Sequence, residues 1–182
     1  MQVLRYENSR EEILAPSPSP KIFLAGPTVR GNQPHLTSWR FEAVELFEKN
    51  GFDGTLIIPE FTVRIESDLG KGWIPIWEFE GLQEADCILF WIPRTRELIG
   101  LTTNYELGYW VARERQKVIY GRPDDAYRIS YPDIMWEADA QDGESVEIFN
   151  TLESTVIGAI ELSTRQYRLN RPHAYIRPAT VK

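Results

Sequence analysis

Two glutamates in the middle of the chain are the side chains best suited to do chemistry. Glu106 follows Thr103 and Asn104 at the start of a predicted helix, and Glu78 lies on the preceding predicted helix. Glycoside chemistry uses two carboxylates, one as a nucleophile on a sugar carbon and one as an acid or base. Glu106 and Glu78 are therefore a candidate catalytic pair.

The same residues also have a structural interpretation. Thr103 and Glu106 have the spacing of a capping box, in which both side chains bind free N–H groups at a helix start. A carboxylate in the first helical turn also meets the positive end of the helix dipole, which favours its ionised form. Glu78 fits a solvated acidic helix face together with Glu80 and Glu84. From these residues alone, both interpretations stay open.

A glycine-containing loop, Gly26–Gly31, follows the first predicted strand. Gly26 allows a ligand to approach the backbone, Thr28 is small and polar, and Arg30 is able to bind a phosphate. The loop is neither a dinucleotide-binding fingerprint nor a P-loop, because the G-x-G-x-x-G pattern and the Gly-Lys-Ser/Thr end are both absent. The alternative is a surface turn with a solvated arginine.

Four tryptophans lie near the two glutamates in the sequence, and their flat rings are suited to stacking on a nucleobase. Tryptophan also fills protein cores, so each of them has a purely structural interpretation as well. The four are Trp73, Trp77, Trp91 and Trp110.

Alternating strands and helices must position these side chains. We predict strands at 22–26, 55–59, 87–92 and 117–120, and helices at 38–50, 76–84, 103–114 and from Asp142 or Ser145 onward. The continuously apolar 87–92 segment predicts a strand buried on both faces. This alternation indicates an α/β fold with a parallel sheet and helices on both faces, in which ligands bind beyond the carboxyl ends of the strands.

The two ends of the chain are set apart from this pattern. Residues 1–20 are predicted to form an arm that ends in a Pro-rich connector, and residues 21–164 to form the compact domain. The last predicted helix carries an apolar face, and an irregular tail follows it over 165–182. That face comprises Val146, Phe149, Leu152, Val156 and Ile160.

Composition excludes several classes of function. The 182 residues suit one domain, and the net charge of −7 without a basic run argues against a nucleic acid polymer as partner. One cysteine and two histidines give no disulfide and no zinc spacing, so no metal is expected. The sequence shows no apolar signal core and no membrane-spanning segment, so we expect a cytoplasmic protein with a small-molecule partner.

At this point the motifs resemble the nucleoside 2-deoxyribosyltransferase-like family. The resemblance rests on Ile22–Pro27, on Trp77-Glu78 with Glu84–Ile88, and on Thr103–Gly108. It implies a three-layer, flavodoxin-like or Rossmann-like fold and attack on the anomeric carbon of a nucleoside without a cofactor. Glu106 inherits the role of nucleophile, and Glu78 matches an acidic residue that assists proton transfer to the base.

The family also includes hydrolases of nucleoside 5′-monophosphates, whose first loop resembles the Gly26–Gly31 segment. Two positions depart from the family pattern: Phe23 stands where a tyrosine is often found, and Gly100 where an aspartate is common. The residues that the resemblance assigns to substrate binding are Phe23, Gly26, Thr28, Arg30, Trp77, Arg94, Thr103 and Asn104.

We therefore predict cleavage or transfer of the N-glycosidic bond of a nucleoside or its 5′-monophosphate, with a 2′-deoxy sugar favoured, through a covalent glycosyl-Glu106 intermediate. The alternative is a non-catalytic nucleotide-binding module, which the departures at Phe23 and Gly100 favour. A flavin or nicotinamide oxidoreductase is disfavoured by the absent glycine fingerprint. The resemblance also implies a homo-oligomer, a dimer or larger, with 127–136 and 167–175 as candidate contact segments.

Overall fold

A five-stranded parallel sheet is the centre of the computed structural model, which describes residues 1–30, 33–62, 72–138 and 146–171. The strand order is β1-β3-β2-β4-β5, and every neighbouring pair is parallel. The strands are β1 (Gln2–Leu4), β2 (Lys21–Ala25), β3 (Thr55–Ile57), β4 (Cys87–Trp91) and β5 (Val118–Gly121).

Helices cover both faces of this sheet, which confirms the predicted three-layer α/β class. Helices α2 and α6 pack on one face, around Phe47 and Val156, while α1, α3, α4 and α5 pack on the other, around Trp77 and Trp110. The helices are α1 (Arg10–Leu14), α2 (Trp39–Lys49), α3 (Ile74–Glu84), α4 (Leu101–Glu114), α5 (Ser130–Ala138) and α6 (Leu152–Asn170).

The central strands supply most of the core. All five residues of β2 and all five of β4 are buried, as the continuously apolar sequence of β4 predicted. Burying each large apolar side chain contributes about 1.5–3 kcal/mol. Strand β2 pairs with β3 on one side and β4 on the other, so the connections that leave β2 and β4 run in opposite directions. This is the switch point at which open parallel sheets bind ligands.

The first twenty residues contain an element of the sheet, which the sequence analysis did not foresee. Strand β1 pairs with β3 in parallel, with Leu4 opposite Ile57. Ile13 of α1 is fully buried, and the buried Lys21 ammonium donates to the carbonyls of Ile13 and Ala15 at 2.5 and 2.8 Å. The predicted arm is therefore packed against the domain, because Leu4 and Ile13 are buried in its core.

The second half of the chain differs from the prediction at three points. Helix α5 forms in a stretch that was expected to be irregular. Helix α6 begins at Leu152 rather than at Asp142 or Ser145, and those two residues lie outside the described part of the chain. Phe149 is not helical, because its backbone N–H donates to Tyr120 and its carbonyl accepts from Arg122. At its other end α6 continues to Asn170, through part of the expected tail. None of the described helices is long and apolar enough to cross a membrane.

Replacing Ile13 tests whether the first twenty residues belong to the fold. Ile13→Ala removes a fully buried side chain and is expected to lower the free energy of unfolding by about 2–4 kcal/mol, measured in urea. The matched control is Leu14→Ala on the same helix, where the side chain is 45% exposed and the expected loss is under about 1 kcal/mol. Equal losses in the two variants would show that α1 does not pack against the domain.

Candidate active site

The carboxyl ends of the strands gather polar side chains at one edge of the sheet. Tyr6 follows β1, Glu60 follows β3, Thr28 follows β2, and Arg94 follows β4. Residues from α2, α3 and α4 extend this cluster. We define the candidate active site by its two carboxylates, Glu78 of α3 and Glu106 of α4, and by the groups whose charges act on them.

Glu106 lies in the second turn of α4 and not in the first, so the capping-box interpretation is wrong. The helix begins at Leu101 after Gly100, which has φ 62° and provides no side-chain cap. This left-handed conformation favours glycine, and a Cβ there would lie 2.7 Å from the ring of Pro27. Thr103 is 1% exposed and lies inside the helix, so the Glu106 carboxylate is not a partner in a helix cap.

The ionisation of Glu106 also differs from the prediction. A carboxylate at the helix start was expected to stay ionised near neutral pH. Instead, burial of the Glu106 side chain, followed by the negative charge of Glu78, raises its pKa to about 7, and Arg40 only partly offsets this. The carboxyl group therefore exchanges its proton near neutrality, which suits a catalytic group.

Glu78 is the second carboxylate of the site, and Tyr6 donates a hydrogen bond from its hydroxyl to Glu78 Oε1. Burial raises the pKa of Glu78, while the Tyr6 hydrogen bond and the charge of Arg40 act in the opposite direction. Helix α3 lies close to the sheet at Gly81, three residues further on. A Cβ at Gly81 would lie 2.9 Å from the ring of Phe23 and 3.0 Å from Ile57.

Arg40 is the cation whose charge acts on both glutamates, and the sequence analysis did not select it. Its side chain is 1% exposed, and its guanidinium contacts Glu60 at 2.7 Å and donates to the carbonyls of Leu24 and Gly26 at 2.9 Å each. A signal was present in the sequence: Arg40 precedes Ala43 and Phe47 by three and seven residues, so it lies on the buried face of α2.

The Arg40 charge is already shared with Glu60. Both oxygens of Glu60 also accept from the Ser38 hydroxyl, at 2.9 and 2.8 Å, and the Ser38 side chain caps α2. Glu60 neutralises Arg40 directly, so little of the positive charge remains for the other two carboxylates. The site therefore holds an excess of negative charge, which favours a cationic group or a cationic transition state.

The tryptophans mostly have the structural role. Trp77 is fully buried with its indole N–H donating to the carbonyl of Asn8 at 3.2 Å, so it has no exposed face on which a base could stack. Trp91 and Trp110 are buried in the two halves of the core, and Phe23 is 1% exposed. The rings of Trp77 and Phe23 are thus packed in the core, and the binding of a substrate by these two residues remains a prediction. Trp73 is 38% exposed.

The predicted phosphate loop lies beside Arg40. The Gly26 carbonyl accepts from Arg40, as does the Thr28 hydroxyl at 3.3 Å, and Thr28 is exposed. Arg30 is also exposed, and its backbone N–H donates to the side chain of Gln33. Gly31 lies outside the described residues. The binding of a phosphate by Thr28 and Arg30 remains a prediction.

Arg94 and Asn104 form a second contact near Glu106. The Arg94 guanidinium is buried, with Nη2 donating to Asn104 Oδ1 at 2.5 Å and Nη1 donating to the Arg128 carbonyl at 3.2 Å. Burial lowers the pKa of Arg94. The Asn104 residue itself is exposed, so the structure places Arg94 beneath it as a support. Among the described residues, no group of three or more His, Cys, Asp or Glu side chains is arranged to hold a metal ion.

Comparison with known proteins gave one family match. A family model described as "Nucleoside 2-deoxyribosyltransferase like" matches residues 19–125. This range includes Arg40, Glu78 and Glu106, and it excludes Tyr6. A comparison with curated protein sequences returned no match.

The raised pKa of Glu106 predicts a pH-dependent cost in stability. The pKa of Glu106 is about 7 in the folded protein, against an ordinary value of 4.5. Between these two pH values the folded protein binds more protons than the unfolded protein, so this group destabilises the fold progressively as pH rises. Glu106→Gln is expected to raise the free energy of unfolding on the order of 2 kcal/mol above pH 7, and to change it little near pH 4.

The measurement is urea unfolding of wild type and variant between pH 4 and pH 8. The matched control is Glu161→Gln on the exposed side of α6, which should give a constant offset across this range. A constant offset for Glu106→Gln as well would contradict a raised pKa at Glu106.

Proposed function

The chain belongs to the nucleoside 2-deoxyribosyltransferase-like family, and on that premise we propose that it cleaves or transfers the N-glycosidic bond of a nucleoside or nucleoside 5′-monophosphate. The observation that carries the proposal is the half-buried pair Glu78 and Glu106, whose charges act on each other at the carboxyl edge of the sheet. A 2′-deoxy sugar is favoured by the family. The proposed substrate is therefore a small molecule.

In the proposed first step, the Glu106 carboxylate attacks the anomeric carbon of the sugar. The bond from that carbon to the base nitrogen breaks, its electron pair leaves with the base, and a covalent glycosyl ester forms on Glu106. The sugar carries positive charge in the transition state. The negative charge that Glu78 and Glu106 add to the neutral Arg40–Glu60 pair is suited to stabilising it.

Glu78 is proposed to supply a proton to the departing base and to recover one in the second step. Burial raises the pKa of Glu78, which brings proton exchange closer to neutral pH. In the second step, water or another base attacks the anomeric carbon, and the Glu106 ester bond breaks. Water makes the reaction a hydrolysis and a base makes it a transfer.

The remaining substrate contacts are proposed from their positions. Thr28 and Arg30 are exposed on the loop after β2, where an arginine fork suits a 5′-phosphate, and Asn104 is exposed two residues before the nucleophile. A neighbouring subunit is proposed to pack on helix α5. That helix exposes Tyr131, Ile134 and Met135.

Base release from candidate substrates tests the proposed reaction. Purified protein is incubated with deoxynucleosides and their 5′-monophosphates, with and without an acceptor base, and the free base is followed by chromatography. Glu106→Ala removes the nucleophile and is expected to lower kcat/KM at least about a thousandfold, while Glu161→Ala leaves it unchanged. Nucleotide binding without base release, undiminished in Glu106→Gln, would instead support the non-catalytic module.

The dependence of rate on pH tests the role of Glu106. A nucleophile must be ionised and a proton donor protonated, so kcat/KM is expected to rise with pH towards about 7, as the Glu106 carboxyl loses its proton, and to fall again once Glu78 has lost its own. The profile is measured over pH 5 to 9 at low substrate concentration. A rate that only falls with pH across this range would assign Glu106 the role of general acid.

A further inference from the structure

Tyr6 enters the candidate site from outside the part of the chain that matches the family. It follows the edge strand β1, and its half-buried hydroxyl donates to Glu78 Oε1 on α3. The family match begins at residue 19, so this contact is made by a segment that the match does not include. The mechanism proposed above does not use Tyr6.

The ring of Tyr6 is held by other aromatic rings. Its centroid lies 4.9 Å from that of Phe61, 6.0 Å from Trp73 and 5.1 Å from Trp77, with tilted or edge-on geometries. Aromatic pairs of this kind favour defined orientations. The hydroxyl is therefore directed at one oxygen of Glu78 by packing, before any substrate binds.

We propose that Tyr6 is a positioning residue, which holds the Glu78 carboxyl group in one orientation through its hydrogen bond to Oε1. The role of Glu78 in proton transfer rests on the proposed function. The contact between Tyr6 and Glu78 does not, so the two are tested separately.

The charges around the pair give this contact its effect. Arg40 of α2 faces both glutamates, and Glu106 of α4 faces Glu78 and Tyr6. Arg5, next to Tyr6, interacts with Glu60 and Arg40. A hydroxyl donor stabilises the ionised form of a buried carboxylate, and a carboxylate ionised at Glu78 disfavours ionisation of Glu106.

Loss of the hydroxyl should move both titrations. In Tyr6→Phe the ring and its packing remain, while the half-buried Glu78 carboxylate loses a donor. The titration midpoint of Glu78 is expected to rise by about one pH unit, and that of Glu106 to fall below about 7 because Glu78 carries less negative charge in that range.

The first measurement needs no substrate. The full-length protein, labelled with ¹³C at the glutamate carboxyl groups, is titrated by NMR, and Glu78→Gln and Glu106→Gln identify the two signals. Opposite shifts of the two midpoints in Tyr6→Phe support the proposal, and unchanged midpoints overturn it. In the double variant with Glu78→Gln, Tyr6→Phe should no longer move the Glu106 midpoint; a persistent shift would also overturn it.

Tyr120→Phe is the matched control. It removes another tyrosine hydroxyl that donates to a carboxylate, Asp133, at 2.7 Å and away from the pair. The two variants should lose comparable stability, whereas only Tyr6→Phe should move the Glu78 and Glu106 midpoints. Equal shifts in Tyr120→Phe would attribute the effect to general loosening and overturn the proposal.

The second measurement is kinetic, with 2′-deoxynucleoside 5′-monophosphates as probes. Tyr6→Phe is expected to lower kcat on the order of tenfold with little change in KM, and to displace the pH profile in the direction of the NMR midpoints. A loss of rate with an unmoved pH profile overturns the positioning role. If wild type releases no base while the NMR midpoints shift as expected, the proposed function fails and the role of Tyr6 in orienting Glu78 is supported.

Discussion

The buried ion pair of Arg40 and Glu60 is the interaction on which the candidate site depends. It joins helix α2 to the segment after β3, and the same guanidinium holds the carbonyls of Leu24 and Gly26 where β2 ends. Removing one partner of such a pair leaves an uncompensated buried charge, which costs about 3–5 kcal/mol. The pair therefore fixes the shape of the loop that follows β2.

This ion pair also determines the charge state of the site. Glu60 takes up the charge of Arg40 at 2.7 Å, and the Arg40 charge also acts on two half-buried carboxylates, Glu78 and Glu106. Keeping these carboxylates away from water lowers the stability of the fold, and the same loss of hydration raises the pKa of Glu106 to about 7. Destabilised groups of this kind are typical of functional sites, where the surrounding core compensates for them.

Much of the framework was predictable from the sequence because it follows from local periodicity. The buried strand β4 and helix α2 have short-range causes in the sequence and were predicted. The start of α4 was not predicted. Thr103 and Glu106 are three residues apart whether they form a capping box at the helix start or lie further inside the helix, so their spacing does not locate the start. The left-handed Gly100, packed closely against Pro27, sets the helix start at Leu101 and so distinguishes these two arrangements. Both glutamates were selected by type and order, whereas Tyr6 and Arg40 act through contacts between distant segments, which periodicity does not encode.

The placement of β1 has a consequence for how the site assembles in time. Leu4 pairs with Ile57, so β1, which is synthesised before β3, has no partner until β3 has been made and has joined β2. Its docking is a late, long-range step in folding. A three-residue edge strand is also among the first elements to open in local unfolding, and its release would carry Tyr6 away from Glu78 while the central strands stay intact. Amide exchange at Val3 and Leu4 would then report the integrity of the site separately from that of the core.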